Sequence, residues 1–482
     1  MTNPRRVVQN ASFLSAAYVG QKLLSFVYFT LIARMVGVVD TGAYVFALSF
    51  STICSVFVDF GLSQLLQREI AQKPEDTQVL LSAALRLKIL YGFVSVALGL
   101  FVFSFIAEGQ QMWNMVLIAM AIMMFDSYVQ SVWAAFRGRH SLAYESIAIV
   151  SSQVIVLTVG LIGLYVEARL EVLMLALLAG SVWAAVYGTI ACRRMLGFWP
   201  KPIGGQSRSM ARRSLSFGVA STFSRLFASL DSVMLGQMVG TAAVGFYAIP
   251  NKFVFAAQFV PAAVSASLYP ALSHFHMTDQ AQMRKLFFQA FSFLYLLAAP
   301  MSVGLFILTP SIIHELYTSA YDPSILAMQI MVWGIVFGFL EYPFGALLAA
   351  MGEQKKNSIT RVVVVLVNVS LNLLLIPRYG FVGTAIAALV SYAVLTGMGA
   401  MWSRSVLRQA DRTFVVALMK VTVCAAMMGL AVWAIFPYAH FAVAIIFGAV
   451  IYAVCAMWSR VITLGQVMNL IVILRKRDAT KL

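Results

Sequence analysis

Four basic residues, Lys22, Arg34, Arg225 and Lys252, lie inside long apolar stretches of the sequence. Four acids, Asp59, Asp126, Asp231 and Glu341, lie comparably deep, and Glu145 stands near the end of another apolar run. An ionisable side chain at bilayer depth costs at least about 2.5–3.5 kcal/mol, so each requires a partner, a wet cavity or an interface. Two chemistries follow for the cations: they accept an anion, or each neutralises a buried acid on a neighbouring helix. The acids in turn are counter-ions, or carboxylates that carry H+ or Na+ as a coupling ion.

Helical spacing orders these candidates. Lys22 stands about 12 residues into its run, roughly 18 Å along a helix and hence near mid-membrane. Ser15, Tyr18, Gln21, Ser25 and Tyr28 share its side, and Arg225 shares a side with Ser214, Gly218, Ser221, Thr222, Ser229 and Ser232. Central cations on hydroxyl-lined stripes suggest a wet cavity for an anion, with Lys22 and Arg225 as the leading substrate-binding pair. Arg34 sits at the outer end of its run, away from Lys22, where snorkelling to the headgroups is the competing role. Lys252 follows Pro250 in a run also interrupted by Pro261 and Pro270, which suits a bent cavity helix or an interface anchor.

Asp59 shares a stripe with Thr52, Ser55 and Ser63, and is read as an ion-coupling carboxylate or, preferably, as the counter-ion of Lys22 or Arg225. Asp126, Asp231 and Glu341 carry the same two readings, and Pro343 beside Glu341 offers a kink. Asp231 lies six residues after Arg225. That is about 120° round a helix, which excludes a direct intrahelical pair.

Composition sets the medium. Hydrophobic residues make up 61% of the 482 and charged ones 11%, against about a quarter charged in soluble domains. The chain therefore reads as a polytopic, all-α membrane protein. Its net charge of +16 reflects loop basics rather than a nucleic-acid footprint. The cysteines Cys54, Cys192, Cys424 and Cys455 form no CxxC pair, and His274 and His276 lack acidic or cysteine partners, so no metal site is expected. No GxxxxGK[ST] pattern or catalytic constellation appears. The expectation is a non-enzyme with no cofactor beyond a coupling H+ or Na+.

At about 20 apolar residues per crossing, spans fall near 10–36, 42–67, 80–107, 112–136, 144–166, 171–195, 213–239, 244–273, 286–309, 324–350, 358–376, 381–403, 413–436 and 440–473, fourteen in all. The last is long enough to end in an interfacial helix. The Gly-, Pro- and Ser-rich stretch 197–212 separates a six-helix lobe, 1–196, from a second, 213–404, and 405–482 adds two helices and a basic tail. Alternate loops carry 28 Lys and Arg, from Arg5 and Arg6 to Lys481, whereas the opposite side holds only Arg169 and Arg378 with Asp40, Glu108, Glu167, Glu171, Glu315 and Asp322. That bias places both termini in the cytoplasm. The first apolar run continues to Val36 without a cleavage site and is expected to be a retained span.

An internal repeat organises the spans. Met35-Val36-Gly37, four residues, Gly42-x-Tyr44 returns as Met238-Val239-Gly240, four residues, Gly245-x-Tyr247, at an offset of 203. Each copy reads as the turn of a helical hairpin, so the halves are duplicates. The same offset lays Lys22 on Arg225, making the central cations pseudo-symmetry mates.

Asn368-Val-Ser-Leu-Asn372, followed by Pro377-Arg-Tyr-Gly380 and Gly383-Thr-Ala-Ile-Ala387, puts two asparagines on one polar helix face. Pro377 ends that helix, and Gly380 and Gly383 permit a turn and close packing. This hairpin resembles spans 11 and 12 of the polysaccharide flippases in the multidrug/oligosaccharidyl-lipid/polysaccharide (MOP) exporter superfamily. Arg34-Met-Val-Gly, Asp59-Phe-Gly-Leu and Arg68-Glu-Ile-Ala add to the likeness.

The resemblance implies a MATE-like fold of two six-helix lobes around a cavity, plus two C-terminal helices. It also implies a Wzx-like flippase moving undecaprenyl-pyrophosphate-linked oligosaccharide, destined for O-antigen, capsule or exopolysaccharide, across the bacterial inner membrane. The partners expected are the lipid-linked substrate, membrane lipids, a polysaccharide polymerase and glycosyltransferases, and nothing in the sequence demands more than a monomer. Lipid II flippases and drug/cation antiporters of the superfamily are the alternatives, the latter suited less well by a cationic cavity. A scaffold for glycan polymerase assembly is a third reading.

Overall fold

The computed structural model describes residues 4–106, 109–166, 169–202, 207–435 and 440–460. Glu108, Glu167, linker residues 203–206, the end of the last span and the basic tail with Arg475, Lys476, Arg477 and Lys481 lie outside them, as do the side chains of Arg5, Arg6 and Ser15. Among the described residues sixteen α-helices follow one another, with no strand. They are α1 (Pro4–Asp59), α2 (Leu62–Gln72), α3 (Thr77–Ser104), α4 (Gln110–Gly138), α5 (Ala143–Val166), α6 (Leu170–Leu196), α7 (Ser207–Met238) and α8 (Thr241–Ala257). Then come α9 (Phe259–Thr278), α10 (Gln280–Leu316), α11 (Ser324–Met331), α12 (Gly334–Ala350), α13 (Gln354–Trp402), α14 (Arg404–Leu407), α15 (Arg412–Ile435) and α16 (Phe441–Trp458).

Two of these helices, α1 and α13, are long enough for two crossings. At 1.5 Å per residue the 56 residues of α1 would extend about 84 Å, against roughly 30 Å of bilayer core. Each long helix contains one non-helical glycine: Gly37 in α1 (φ 83°) and Gly380 in α13 (φ 55°). A residue with a Cβ disfavours that backbone region, so both glycines are the places where a helix can be interrupted without strain.

Eleven helical segments among the described residues are long and apolar enough to cross a membrane. Dividing two of them at Gly37 and Gly380, and adding α7, gives the fourteen crossings read from the sequence. Helix α7 carries Arg208, Arg212, Arg213, Arg225 and Asp231 among many hydroxyls, which lowers its hydropathy. The polarity of α7 marks it as a helix with a wet face.

The chain divides into two compact units. The first comprises residues up to Lys252 with Leu316–Ser324 and Ser358–Ser391. Its core packs Leu62, Leu66 and Ile70 of α2 with Leu81 and Leu85 of α3 and Trp133 and Phe136 of α4. The second comprises Phe253–Glu315, Ile325–Asn357 and the chain from Tyr392 onward. There Phe287 and Phe291 of α10 pack with Leu268 and Leu272 of α9 and Phe344 of α12.

Within the first unit the two repeat hairpins meet reciprocally. A Cβ on Gly42 would overlap the carbonyl of Thr241, and one on Gly245 would overlap that of Val38. Val38 and Thr241 are themselves 203 apart, so the two contacts are copies of one another. Only glycine lets the backbones approach this closely. Asn368 and Asn372 are both completely buried, so the polar face of α13 turns inward.

Candidate functional site

Three polar clusters occupy the first unit. The first is built on α1 and α8. Lys252 Nζ donates to Ser25 Oγ at 3.2 Å and lies 5.1 Å from the centroid of the Phe29 ring. Lys22 stands one turn before Ser25 on α1 and is exposed. Among the described residues neither lysine has a carboxylate partner. The α1 stripe that carries Lys22 is anchored at Tyr18, whose hydroxyl donates to Glu145 Oε1 at 2.8 Å, while Arg137 bonds both Glu145 and Tyr18.

The second cluster joins α1, α2, α3, α4 and α7. Asp59 is 3% exposed. Its Oδ1 takes Lys88 Nζ at 2.8 Å and Ser63 Oγ at 2.6 Å, and its Oδ2 takes Arg225 Nη2 at 3.2 Å. Lys88 is equally buried and completes its set of three acceptors with Ser63 Oγ and the Ser127 carbonyl. Arg225 also donates to Gln130 Oε1 at 3.2 Å. One carboxylate thus faces two cations, and the triad retains a net positive charge. Because Lys88 is the sealed member, that excess is presented by Arg225.

Arg225 lines a cavity of about 260 Å³ together with Ser51, Thr52, Ser55, Asp59, Asp126 and Gln130. Asp126 opens onto this cavity and accepts a hydrogen bond from Ser181 at 2.7 Å. The cavity therefore has a hydroxyl-rich wall and charges of both signs.

The third cluster is buried. Asp231 of α7 accepts Tyr247 Oη at 2.6 Å on one oxygen and Asn372 Nδ2 at 2.7 Å on the other, and Asn372 Nδ2 also reaches Asn368 Oδ1 at 3.2 Å. Among the described residues Asn368 Nδ2 and Asn372 Oδ1 are buried without a hydrogen-bond partner, and no cation stands at Asp231. A buried carboxylate without a positive partner, beside a free amide oxygen, has the donor set of a small hard cation such as Na+. No cluster of three or more His, Cys, Asp or Glu occurs among the described residues.

The sequence-derived candidates are thus distributed. Lys22 and Lys252 come together, Arg225 sits with Asp59 and faces the cavity with Asp126, and Asp231 joins Asn372 and Asn368. Arg34 is exposed beside the Gly37 break, and Glu341 is half-buried in α12 of the second unit. Lys22 is not the partner of Asp59; Lys88 is. Lys88 reads in sequence as one more loop basic, because it stands near the start of a span. Gln130, Ser181 and Tyr247 are also read only from the structure, since uncharged polar residues are common in such helices.

The family model described as polysaccharide biosynthesis protein matches residues 7–276. The probable low-salt glycan biosynthesis flippase Agl15 of Haloferax volcanii is 21% identical over 389 residues, which is 79% of this chain and 80% of the relative. Among solved structures, the lipid II flippase MurJ in an inward closed conformation superposes with a TM-score of 0.77 at 14% identity, over 93% of this chain and 98% of that one. An inward-facing multidrug resistance MATE transporter of the MOP superfamily gives 0.66 at 15% identity, over 81% and 96%. The duplicated helical hairpins, the polar helices at membrane depth and the match over more than half the chain lead to one assignment: this multi-pass membrane protein belongs to the polysaccharide biosynthesis protein family and has the MOP-superfamily fold.

Proposed function

We propose that the protein is a flippase for a polyprenyl-pyrophosphate-linked oligosaccharide, carrying it from the cytoplasmic to the outer leaflet of the cytoplasmic membrane. The observation that carries this reading is the pair Lys22 and Lys252: two lysines at membrane depth, one bonded to Ser25 and the other one helical turn before it, with no acid paired to either among the described residues. Holding two like charges together in a low-dielectric setting is unfavourable unless a bound anion offsets them. A pyrophosphate supplies that anion. Arg225, with its excess charge conferred by Lys88, adds a planar donor suited to phosphate oxygens.

The two six-helix lobes, 1–196 and 213–404, rock about the reciprocal Gly42 and Gly245 contacts to alternate access, while the polyprenyl tail remains in lipid. The hydroxyl-lined wall of Ser51, Thr52 and Ser55 receives the first sugars. Asp231 with Asn372 holds the coupling Na+ or H+. Both termini are cytoplasmic, glycosyltransferases supply the substrate and a polymerase consumes the product.

The name of the Haloferax relative and the match to a lipid II flippase fold are consistent with a lipid-linked glycan as cargo. The opposing reading, an antiporter of cationic drugs, draws on Asp126, an acid on the cavity wall that accepts a hydrogen bond from Ser181. The two separate in cells of the source strain. With Lys22→Gln and Lys252→Gln combined, surface polysaccharide is lost at unchanged protein abundance; full polysaccharide would eliminate the flippase reading. An antiporter instead loses drug efflux on Asp126→Asn and leaves surface glycan intact.

A further inference from the structure

We infer that the outer face of α4 and α6 carries a binding site for an anionic phospholipid of the cytoplasmic leaflet, separate from the cargo path. A groove of about 550 Å³ runs there, lined by Met124, Phe125, Tyr128, Val186, Ile190 and Trp199. Its size is within the roughly 300–1,000 Å³ of small-molecule sites.

The groove is dry. Thr189 spends its hydroxyl proton on the Ala185 carbonyl at 2.7 Å, so at the 2.6 Å contact with Tyr128 it is the tyrosine that donates. Both hydroxyl protons on this wall are thereby spent, Tyr128's on Thr189 and Thr189's on the Ala185 carbonyl, so the wall offers an occupant no free donor. Such a lining suits an alkyl chain and discriminates against a glycan.

The groove also has a charged end. It terminates at Trp199, a half-exposed indole just beyond α6. The Arg193 guanidinium sits 6.0 Å from that ring and is tethered to the Gly197 carbonyl at 2.6 Å, with Arg194 exposed beside it. Neither arginine has a carboxylate partner among the described residues. The alternation of loop charges assigns this end to the cytoplasmic face. An apolar slot ending in an interfacial tryptophan and two uncompensated arginines complements an acyl chain attached to an anionic headgroup.

The test is native mass spectrometry of the delipidated full-length protein, titrated with phosphatidylglycerol and with phosphatidylcholine. The expected result is one phosphatidylglycerol held in preference to phosphatidylcholine, the preference falling about fivefold per arginine in Arg193→Gln and Arg194→Gln. Ile190→Trp, which fills the slot from an exposed position, should lower retention of phosphatidylglycerol while the thermal midpoint stays at the wild-type value. Equal retention of the two lipids, retention unchanged in all three variants, or displacement of phosphatidylglycerol by equimolar polyprenyl phosphate would each overturn the proposal.

Discussion

Lys88 and Asp59 form a 2.8 Å ion pair in which both side chains are almost sealed from solvent, at 3% and 4% exposure. Arg225 completes the triad from the more accessible side, at 27%. Because two cations share one carboxylate, the three residues are unequal under substitution.

Asp59→Asn leaves Lys88 and Arg225 facing each other without a counter-ion, whereas Lys88→Met leaves a one-to-one pair. Breaking a buried pair costs about 3–5 kcal/mol. Asp59→Asn should therefore lower the thermal midpoint of the detergent-solubilised protein more than Lys88→Met does. Lys88→Met should instead weaken anion binding at Arg225 by cancelling its excess charge, which pyrophosphate titration by calorimetry reads directly. Equal midpoints in the two variants would contradict the charge accounting.

Gly42→Ala and Gly245→Ala each drive a methyl group into a carbonyl of the opposite hairpin, and symmetry makes the two losses similar. Gly20→Ala and Gly397→Ala are the controls, since a Cβ at either meets nothing within 4 Å. At helical sites the controls should be neutral or gain roughly 0.5–1 kcal/mol from helix propensity. Yields of monodisperse protein in gel filtration separate the pairs.

Asp231→Asn and Asn372→Leu should remove stabilisation by Na+. Wild-type protein is expected to melt higher in NaCl than in choline chloride at equal ionic strength, and the variants to melt alike in both. A salt-specific gain persisting in Asp231→Asn would place the coupling ion elsewhere.

Asp411 accepts the Thr413 hydroxyl at 2.7 Å and the Phe414 amide at 2.9 Å, capping α15. The Thr413 bond, then the Phe414 amide, hold its carboxyl below the usual carboxylate range. A depressed acid stabilises the fold above its unfolded pKa and ceases to do so as pH falls through the folded value. The midpoint difference between wild type and Asp411→Asn should thus be present at neutral pH and shrink in acid.

Much of the architecture is legible in the sequence because its determinants are local or periodic. Hydrophobic length gives the crossings, and glycine gives the breaks at Gly37 and Gly380. The 203-residue offset identifies the hairpins, whose mutual contact through Gly42 and Gly245 then follows a pseudo-two-fold relation. Helical period also names the polar faces. It does not name the neighbour each face meets. Asp231 finds Asn372 across 141 positions, Lys252 finds Ser25 across 227, and Asp59 takes a lysine that a charge count assigns to a loop. Pairing at bilayer depth is decided by helix packing, which leaves no linear trace.

Under the proposed function Lys22 and Lys252 hold the pyrophosphate of a lipid-linked glycan during translocation. The most direct measurement is transbilayer movement of a fluorescent polyprenyl-pyrophosphate oligosaccharide in proteoliposomes, comparing wild type with Lys22→Gln/Lys252→Gln at matched incorporation. Rapid movement by wild type is expected, with a loss of at least about tenfold in the double variant, whose two removed charges each contribute on the order of 1 kcal/mol. Wild-type rates in the double variant would contradict it.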